Sequence, residues 1–521
     1  MNVVDWKYQI YLALADDAIY DFRSTDRSEN NKAEDQKMSF QNLRKHLKFY
    51  MAILFIFMII HGTAAATPPN LLVLIADDHG QMDSEAYGSD EARTPFLKSL
   101  AAAGMRFDRA FVNSPSCAPS RAALLTGLTP PHNGAEANHS KPRREIEKLP
   151  VALKALGYEV VAFGKVSHYQ HTADYGFDHF AFDTYQDHRG IAAAREWMEK
   201  RATTENAKKP LAIFVGSNWP HVPWPVADGY MPEAVKVPEN QVDTAEYREA
   251  RARYLTAVTA MDSELGRVYE SAMKTLGEPN TVVLFTSDHG AQLPFGKWNL
   301  YESGVRVPLI VKWPGVVPPA STTKAMVQWM DIMPTLIEIG GGKQNANLDG
   351  KSFLPVLKKP DLEHHQAIFT THSSDGDMNV YPMRAMRNDR FKLIWNLHPE
   401  FQFTTHIDRA NEPLSLKYWN SWNKLAMNDP KARKVVERYR IRPEFELYDL
   451  ETDPLELVNL AADTKYNQIF EKMKPELNGW MKEQGDQRTV FGKPVRVGEQ
   501  IPPTPKKAAA KKKAKGVEGM E

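Results

Sequence analysis

Four short runs of apolar residues, each followed at once by polar and titratable side chains, constrain the fold of this chain more than any other feature. Continuous apolar runs of this length are typical of strands buried on both faces of a parallel sheet. Segments with a helical pattern separate the runs, and this alternation predicts a parallel sheet with helices on both faces. The runs cover residues 70–76, 160–163, 211–215 and 281–286.

The segments between the runs contain helix signals. Pro95 suits the first turn of a helix that ends at Gly104, and a second helix over 149–156 ends at Gly157. A long amphipathic helix is predicted over 245–276, because its apolar side chains recur at helical spacing. Helices of this kind supply the crossover connections that parallel strands require.

The pattern changes in the last third of the chain. Residues 307–312 favour one more strand of the main sheet. From about residue 370 the pattern becomes antiparallel, with a hairpin over 383–395, a strand over 445–450 and a terminal helix whose apolar positions run to Met481. We therefore expect an α/β fold with a large, mostly parallel sheet flanked by helices, plus a smaller C-terminal α+β subdomain with an antiparallel sheet.

The N-terminal region has the pattern of a secretory signal peptide over residues 38–66. A basic stretch precedes an apolar run over 51–60, and Ala64-Ala65-Ala66 offers a cleavage site. Ten to twelve apolar residues are too few to cross a bilayer, so no stable membrane anchor is expected, although an anchor stays open as the alternative. We expect Met38 or Met51 to be the true start, residues 1–37 to be a mis-called upstream extension, and the protein to be periplasmic or secreted.

The expected domain organisation follows from these patterns. A chain of 521 residues exceeds the usual size of a single core, which favours one large domain and a smaller one. The boundaries are 1–37 for the extension, 38–66 for the signal peptide, 67–365 for the catalytic domain, 366–490 for the C-terminal subdomain and 491–521 for a disordered basic tail.

Composition excludes several classes of protein. The 65 basic and 65 acidic residues balance, whereas nucleic-acid binders usually have a basic excess. The single cysteine, Cys117, excludes an intrachain disulfide and any zinc cluster held by several thiolates. Hydrophobic residues make up 42% of the chain, which suits a globular enzyme.

Carboxylates follow the first and last of the four runs. Ligands bind beyond the carboxyl ends of parallel strands, so Asp77 and Asp78 should lie near Asp288 and His289. Three negative charges in one place repel one another unless a cation shares them. The three carboxylates and one histidine favour a hard divalent ion, Ca²⁺ or alternatively Mg²⁺, over zinc.

Cys117 is predicted to lie at a helix N-terminus. Pro119 suits the first helical position, and Gly127 suits the position just past the end. Unpaired backbone N–H groups there, with Arg121 one turn on, should lower the pKa of the thiol. A buried structural cysteine is the alternative interpretation of a lone thiol.

The motif Cys-x-Pro-Ser-Arg followed by Thr-Gly resembles the signature of the type I, formylglycine-dependent sulfatases. Other segments match the family as well, including Gly164-Lys165-x-x-His168 and Glu446-Leu447-Tyr448-Asp449-Leu450. The resemblance implies an alkaline-phosphatase-like sandwich. The positions in this chain that match family site positions are Asp77, Asp78, Cys117, Arg121, Lys165, His168, His221, Asp288, His289 and Lys297.

The resemblance also implies a role for each position. A separate maturation enzyme converts Cys117 to Cα-formylglycine, whose hydrate attacks the sulfur of the substrate, while the metal is bound by Asp77, Asp78, residue 117, Asp288 and His289. Arg121 and Lys165 hold the hydrate, and Lys297 and His221 contact the sulfate. A protonated histidine, either His221 or His168, gives a proton to the leaving atom. His79 and His139 receive no role.

The run 296–301 and the motif 381–384 resemble the branch that contains the heparan N-sulfatases, or sulfamidases, and related bacterial glycan sulfatases. His289 and Lys297 depart from the sulfamidase pattern towards that of the wider O-sulfatases. We therefore expect hydrolysis of sulfate esters on a sulfated polysaccharide or oligosaccharide, with N-sulfate cleavage as the alternative. Four aromatic residues are candidates for a sugar-binding rim, with packing in the interior as the alternative: Trp219, Trp224, Trp298 and Tyr301.

Two other classes share the fold. A phosphatase or phosphodiesterase would use a serine or threonine nucleophile and usually two metals, whereas this chain has Cys117 in the maturation motif. An inactive glycan-binding relative would have lost a member of the site, yet all the expected positions are filled. The sequence leaves open the sugar, the sulfate position, exo or endo action and the oligomeric state.

Overall fold

The main sheet is arranged around β1 (Asn70–Ala76), which pairs in parallel with β5 (Leu211–Gly216) on one side and β6 (Thr281–Ser287) on the other. The computed structural model describes residues 68–181, 189–343, 345–409 and 413–502. The predicted upstream extension and signal peptide, residues 1–66, lie outside the described residues.

The nine-stranded sheet has the order β4-β3-β5-β1-β6-β8-β2-β7, with β9 paired to β2. Strands β4, β3, β5, β1 and β6 are all parallel, and β8 runs antiparallel between β6 and β2. The strands are β1, β2 (Met105–Phe111), β3 (Glu159–Gly164), β4 (His179–Ala181), β5 (Leu211–Gly216), β6 (Thr281–Ser287), β7 (Arg306–Val307), β8 (Leu309–Lys312) and β9 (Ser321–Gln328).

The register of the central strands aligns their carboxyl ends. Ala76 lies beside Ser287 of β6, and Ile75 lies beside Gly216 of β5. The residues that follow these three strands therefore emerge next to one another at one edge of the sheet.

Helices cover the sheet, as the alternating pattern predicts. The longest, α6, spans Ala245–Leu276 and is capped by the Thr244 hydroxyl, which accepts a hydrogen bond from the Tyr247 N–H. The α-helices are α1 (Pro95–Ala102), α2 (Cys117–Thr126), α3 (Pro130–Asn133), α4 (Leu149–Ala155), α5 (Arg189–Arg201), α6, α7 (Glu302–Val305), α8 (Ile332–Ile339), α9 (Leu354–Lys358), α10 (His406–Arg409), α11 (Pro413–Ala426), α12 (Pro430–Arg440) and α13 (Asn467–Glu483).

A second, four-stranded antiparallel sheet follows in the order β10-β11-β12-β13. These strands span Ile368–Asp375, Asn379–Arg387, Phe391–Asn396 and Phe445–Asp449. Helix α13 packs one apolar face on this sheet, and the Trp480 ring stacks on Phe369 with centroids 4.8 Å apart. The described residues from Pro68 onward form one compact unit.

The expected fold class is confirmed, with local differences. Helix α2 begins at Cys117 itself, two residues before the Pro119 start predicted from propensity. The predicted 307–312 strand is divided at Pro308 into β7 and β8, because proline cannot donate a ladder hydrogen bond. Helices α10, α11 and α12 interrupt the antiparallel region, where only strands and a terminal helix are predicted.

The start predicted for a disordered tail, residue 491, is too early. The Gln402 N–H donates to the Val495 carbonyl at 2.7 Å, and Phe401 forms a β-bridge with Arg496. Hydrogen bonds of this segment continue to Glu499, and the lysine-rich residues after 502 lie outside the described part. Among the described helices none is both long enough and apolar enough to span a membrane.

We predict that Gly164→Ala destabilises the protein strongly, because Gly164 ends β3 with φ 67° and an added Cβ would lie 2.1 Å from the Gly216 carbonyl oxygen. Positive φ alone costs about 1–2 kcal/mol for alanine, and a forced backbone shift adds about 1–3 kcal/mol. The matched control is Gly157→Ala, where φ is 88° and no atom lies within 4 Å. Equal losses of unfolding free energy in urea would refute the predicted clash.

Candidate active site

The carboxyl edge of the main sheet gathers most of the positions singled out from the sequence. Asp77 and Asp78 follow β1, Asp288 and His289 follow β6, and Lys165 follows β3. Helix α2 begins at Cys117 and places Arg121 one turn further on. All seven of these side chains are at most 3% exposed, so their charges interact in a medium from which water is largely excluded.

Arg121 joins the two strand ends. Its Nε donates to Asp288 Oδ2 at 2.9 Å, and its Nη2 donates to Asp77 Oδ1 at 3.2 Å. The remaining amino group donates to the Lys165 carbonyl oxygen, which ties helix α2 to the end of β3. The guanidinium thus bridges two carboxylates that would otherwise repel each other.

Two lysines donate hydrogen bonds to the remaining carboxylate oxygens and balance their negative charge. Lys165 Nζ donates to Asp77 Oδ2, and Lys297 Nζ donates to both oxygens of Asp78 at 2.9 and 3.0 Å. Burial opposes a charged lysine, but the neighbouring carboxylates raise the pKa of Lys165 and that of Lys297 above their usual values. Both ammonium groups are therefore permanent charges at neutral pH.

The carboxylates respond to burial and to these cations in different ways. Burial favours the neutral acid at Asp77, but Lys165, His221 and Arg121 hold its pKa well below the usual value. At Asp78 burial dominates and raises the pKa, with Asp77 and Asp288 adding to the effect. A further cation is therefore favoured beside Asp78 more than beside Asp77.

The residues fit a hard divalent cation. One atom from each of Asp78, Cys117, Asp288 and His289 lies within 4.8 Å of the others. His289 Nδ1 lies 3.0 Å from the Gly290 carbonyl, which fixes the proton on Nδ1 and leaves the lone pair of Nε2 facing this group. Asp77 is outside this group of four, because its oxygens are bonded to Lys165 and Arg121.

Cys117 faces the group that would share the metal. Its Sγ lies 3.4 Å from His289 Nε2 and 3.5 Å from Lys165 Nζ. Burial raises the pKa of the Cys117 thiol, although Lys165 and Lys297 act in the opposite direction. The expected lowering of this pKa is therefore wrong, since Arg121 is occupied by Asp77 and Asp288 and the loss of water outweighs the helix N-terminus.

The two remaining histidines lie at the border of this cluster. His221 Nε2 is 3.9 Å from Asp78 Oδ2, and His168 is 5% exposed just after Lys165 in the chain. Burial, with the lysines nearby, lowers the pKa of His221 and of His168. Both are neutral in the protein alone, which opposes the predicted protonated histidine.

Three of the four aromatic residues expected at a sugar-binding rim are buried. Trp298 is 1% exposed, Tyr301 2% and Trp224 6%, while Trp219 is partly buried. Trp298 and Tyr301 instead anchor the segment that contains Lys297: the Trp298 indole N–H donates to Asp375, and the Tyr301 hydroxyl donates to Glu446. The rim interpretation is wrong for the three buried residues.

Two residues that the sequence patterns do not single out connect to the site. His139 Nδ1 lies 2.7 Å from His168 Nε2, and His139 Nε2 lies 3.0 Å from Asp375 Oδ1. Asp375 ends β10 in the second sheet, 236 residues from His139 in the chain. No local motif can predict a contact between residues so far apart in the chain. The position of Asp375 at the end of a strand is only a weak indication that it belongs to a site.

A second group of histidine and carboxylate side chains lies elsewhere. His365 Nε2 is 2.9 Å and His364 Nε2 is 3.3 Å from Asp331 Oδ2. The same carboxylate accepts backbone N–H groups from Gln328 and Lys351. This group, the Asp331 cluster, stabilises the turn that precedes α8 and serves as a reference for metal binding below.

The mostly parallel sheet flanked by helices, with its second antiparallel sheet, has the alkaline-phosphatase-like fold, and a buried group of cations and carboxylates lies at the carboxyl edge of the main sheet. The sulfatase family model matches residues 69–342, and the chain belongs to the sulfatase family. It is therefore a sulfuric ester hydrolase. A second family model, that of the C-terminal region of N-sulphoglucosamine sulphohydrolase, matches residues 289–429.

Similar proteins are found among both bacterial and human enzymes. The chain is 31% identical to an ulvan-active sulfatase of Formosa agariphila, over 84% of this chain and 85% of that protein. It is 29% identical to human N-sulphoglucosamine sulphohydrolase, over 82% of this chain and 93% of the human one. A solved structure in complex with its substrate D-glucosamine-2-N,6-O-disulfate has the same fold, with a TM-score of 0.63, 20% identity and coverage of 81% and 99%.

We predict that Ca²⁺ stabilises the protein through Asp78, Asp288 and His289. An ion at a hundred times its dissociation constant adds about 2.7 kcal/mol to the unfolding free energy, which thermal unfolding detects as a higher Tm. Asp288→Asn should abolish this rise, because it removes a charged ligand from the group.

The matched control is His365→Gln, which changes the Asp331 cluster and should retain the rise in Tm. Loss of the calcium effect in His365→Gln, with its retention in Asp288→Asn, would assign the ion to the other cluster.

Proposed function

We propose that this protein hydrolyses sulfate esters of a sulfated polysaccharide or oligosaccharide. Membership of the sulfatase family supports the reaction, and the relatives named as ulvan-active sulfatase and N-sulphoglucosamine sulphohydrolase support a carbohydrate substrate. Conversion of Cys117 to formylglycine by a maturation enzyme supplies, after hydration, the nucleophile for attack on sulfur. A bound cation, for which we propose Ca²⁺, supplies positive charge for the sulfate oxygens.

The charge balance of the site is the observation on which this proposal rests. The three carboxylates of Asp77, Asp78 and Asp288 are matched by three permanent cations, Arg121, Lys165 and Lys297. A divalent ion added to this neutral set leaves two positive charges in a buried site. That surplus suits a sulfate group, which carries one negative charge as an ester and two after release.

Each side chain has a proposed part in the reaction. Lys165, 3.5 Å from the Cys117 sulfur, and Arg121, which fixes Asp77 and Asp288, hold the modified residue 117 in position. Lys297 and His221, both beside Asp78, are suited to contact the sulfate oxygens. Both histidines are neutral before substrate binds. One of them can give a proton to the leaving atom only if its pKa rises first, and the arrival of the substrate anion would raise it.

The alternative is cleavage of N-sulfate, as in N-sulphoglucosamine sulphohydrolase. The match of residues 289–429 to the C-terminal model of that enzyme favours it. We prefer the O-sulfate because His289 and Lys297 follow the wider O-sulfatase pattern.

Export through the signal peptide is part of the proposal, and N-terminal sequencing of the mature protein from a cell fraction tests it.

We predict that protein co-expressed with a maturation enzyme releases inorganic sulfate from one member of a glycan panel. The panel contains heparan, chondroitin, ulvan, fucan and carrageenan oligosaccharides, including N-sulfated ones. Mass spectrometry of the peptide containing residue 117 should find an aldehyde in place of the thiol, and Cys117→Ala should abolish release. Full activity with an intact thiol would refute the mechanism, and release from N-sulfated sugars alone would favour the alternative.

We also predict that Lys297→Ala lowers kcat about 10²- to 10³-fold, the usual cost of losing one charge-stabilising donor. The control is Lys98→Ala, since the Lys98 side chain is 68% exposed and pairs with Glu85, which is not a member of the site, so kcat should be unchanged. Equal rates for the two variants would contradict the sulfate-binding role of Lys297.

A further inference from the structure

A line of three side chains leads from the candidate active site to the second sheet. His168, five per cent exposed, lies 2.7 Å from His139, and His139 lies 3.0 Å from Asp375. His139 is the exposed member, with 60% of its side chain accessible, whereas Asp375 is 5% exposed. The line therefore joins two buried groups through a histidine that water can reach.

The ionised carboxylate sets the direction of every hydrogen bond in this line. Asp375 is buried, yet hydrogen bonds from His139 and His406 hold its pKa well below the usual value, so the carboxylate only accepts. His139 must then donate from Nε2, and its Nδ1, if the ring is neutral, accepts the Nε2–H of His168. The remaining nitrogen of His168, Nδ1, keeps its lone pair.

That last nitrogen is buried and has no hydrogen-bond partner among the described residues. A buried polar atom without a partner is uncommon in proteins and points to a group that binds there. The surroundings of His168 are the ring of Tyr169 at 4.6 Å, that of His171 at 5.3 Å and the ammonium of Lys165, whose charge lowers the pKa of His168. The same Lys165 ammonium lies 3.5 Å from Cys117 Sγ, so one charge acts on both His168 and residue 117.

We propose that Asp375, His139 and His168 form a proton relay, in which a proton accepted at Nδ1 of His168 leaves its positive charge on His139. The inference deepens the proposed sulfatase reaction and rests on it for the source of the proton. His168 is the catalytic residue of the relay, and His139 and Asp375 are positioning residues.

Each proton that moves along the relay breaks one bond and forms another. A reacting hydroxyl group loses its O–H bond, whose electron pair stays on oxygen, while an N–H bond forms at Nδ1 of His168. At the same time the Nε2–H bond of His168 breaks, its electron pair stays on Nε2, and an N–H bond forms at Nδ1 of His139. His168 ends neutral, and His139 ends as an imidazolium beside the Asp375 carboxylate.

The relay moves the positive charge from a buried position, where it is unfavourable, to an exposed one. A charge on His168 would lie in a buried place near the Lys165 ammonium, where burial and repulsion both oppose it. A charge on His139 lies at the surface and is paired with a carboxylate at 3.0 Å. Transfer through two histidines therefore gives a neutral His168 the capacity to take up a proton.

The first test measures the ring nitrogens of His168 by ¹⁵N NMR in histidine-labelled protein that retains the Cys117 thiol, with the signals assigned from a His168→Gln spectrum. We expect Nε2 to be protonated and Nδ1 to be unprotonated at neutral pH. In Asp375→Asn the side-chain amide can donate to His139, so the order of donors reverses and the proton of His168 moves to Nδ1. A protonated Nδ1 in the unaltered protein would overturn the relay.

The second test compares kcat on the glycan that releases sulfate. His139→Gln preserves a hydrogen bond but cannot hold the charge, so we expect kcat to fall about 10²-fold, as for loss of acid–base assistance, with KM unchanged. The matched control is His132→Gln, because His132 forms an exposed pair with Asp349 at 3.0 Å outside the line and should leave both constants unchanged.

The two tests separate this inference from the proposed function. An unchanged kcat in His139→Gln would overturn the relay while sulfate release still supported the sulfatase proposal. If no glycan releases sulfate, the proposed function fails, and the NMR measurement on the thiol form still decides whether the predicted proton order exists.

Discussion

The burial of three carboxylates at adjacent strand ends is the constraint on which the rest of the site depends. Asp77, Asp78 and Asp288 are at most 1% exposed and lie where β1 and β6 end side by side. Leaving one buried charge without its partner costs about 3–5 kcal/mol. The fold must therefore deliver three cations to fixed places, and it does so from three separate elements: the second turn of α2, the end of β3 and the loop after β6. The same set of contacts stabilises the protein and arranges the site.

The second sheet holds one of these cations in place. The segment 298–302 follows Lys297 and is bonded to three strands of that sheet. Trp298 bonds Asp375 of β10, Leu300 and Glu302 bond Lys392 of β12, and Tyr301 bonds Glu446 of β13. Lys392 also pairs with Glu456 at 2.9 Å, so the anchor is itself a balanced group of buried charges. A sheet that contributes no ligand to the candidate metal site thus fixes the lysine that faces Asp78. Long-range support of this kind keeps a buried ammonium in one geometry.

The sequence predicts which segments form strands and helices better than it predicts which distant residues contact one another. The strands β1, β3, β5 and β6 and helix α6 follow from apolar runs and helical spacing, which are local signals of burial. The contact of His139 with Asp375 joins residues 236 positions apart, so no period or motif contains it. The direction of the Cys117 pKa is missed for a related reason: a helix N-terminus is visible in the sequence, but burial and the pairing of Arg121 with Asp77 and Asp288 depend on the complete fold. The aromatic residues near Lys297 likewise could not be separated from a sugar-binding rim before their contacts were known.

The distribution of charge divides the site into two kinds of group. Arg121, Lys165 and Lys297 have their pKa values raised by carboxylates and keep their charge across the neutral range. The His168 pKa is instead lowered by burial and by Lys165. Anion binding is therefore assigned to groups that do not titrate, and proton transfer to a histidine that begins neutral. Because the two tasks use different side chains, the anion can be held by constant charge while a proton moves.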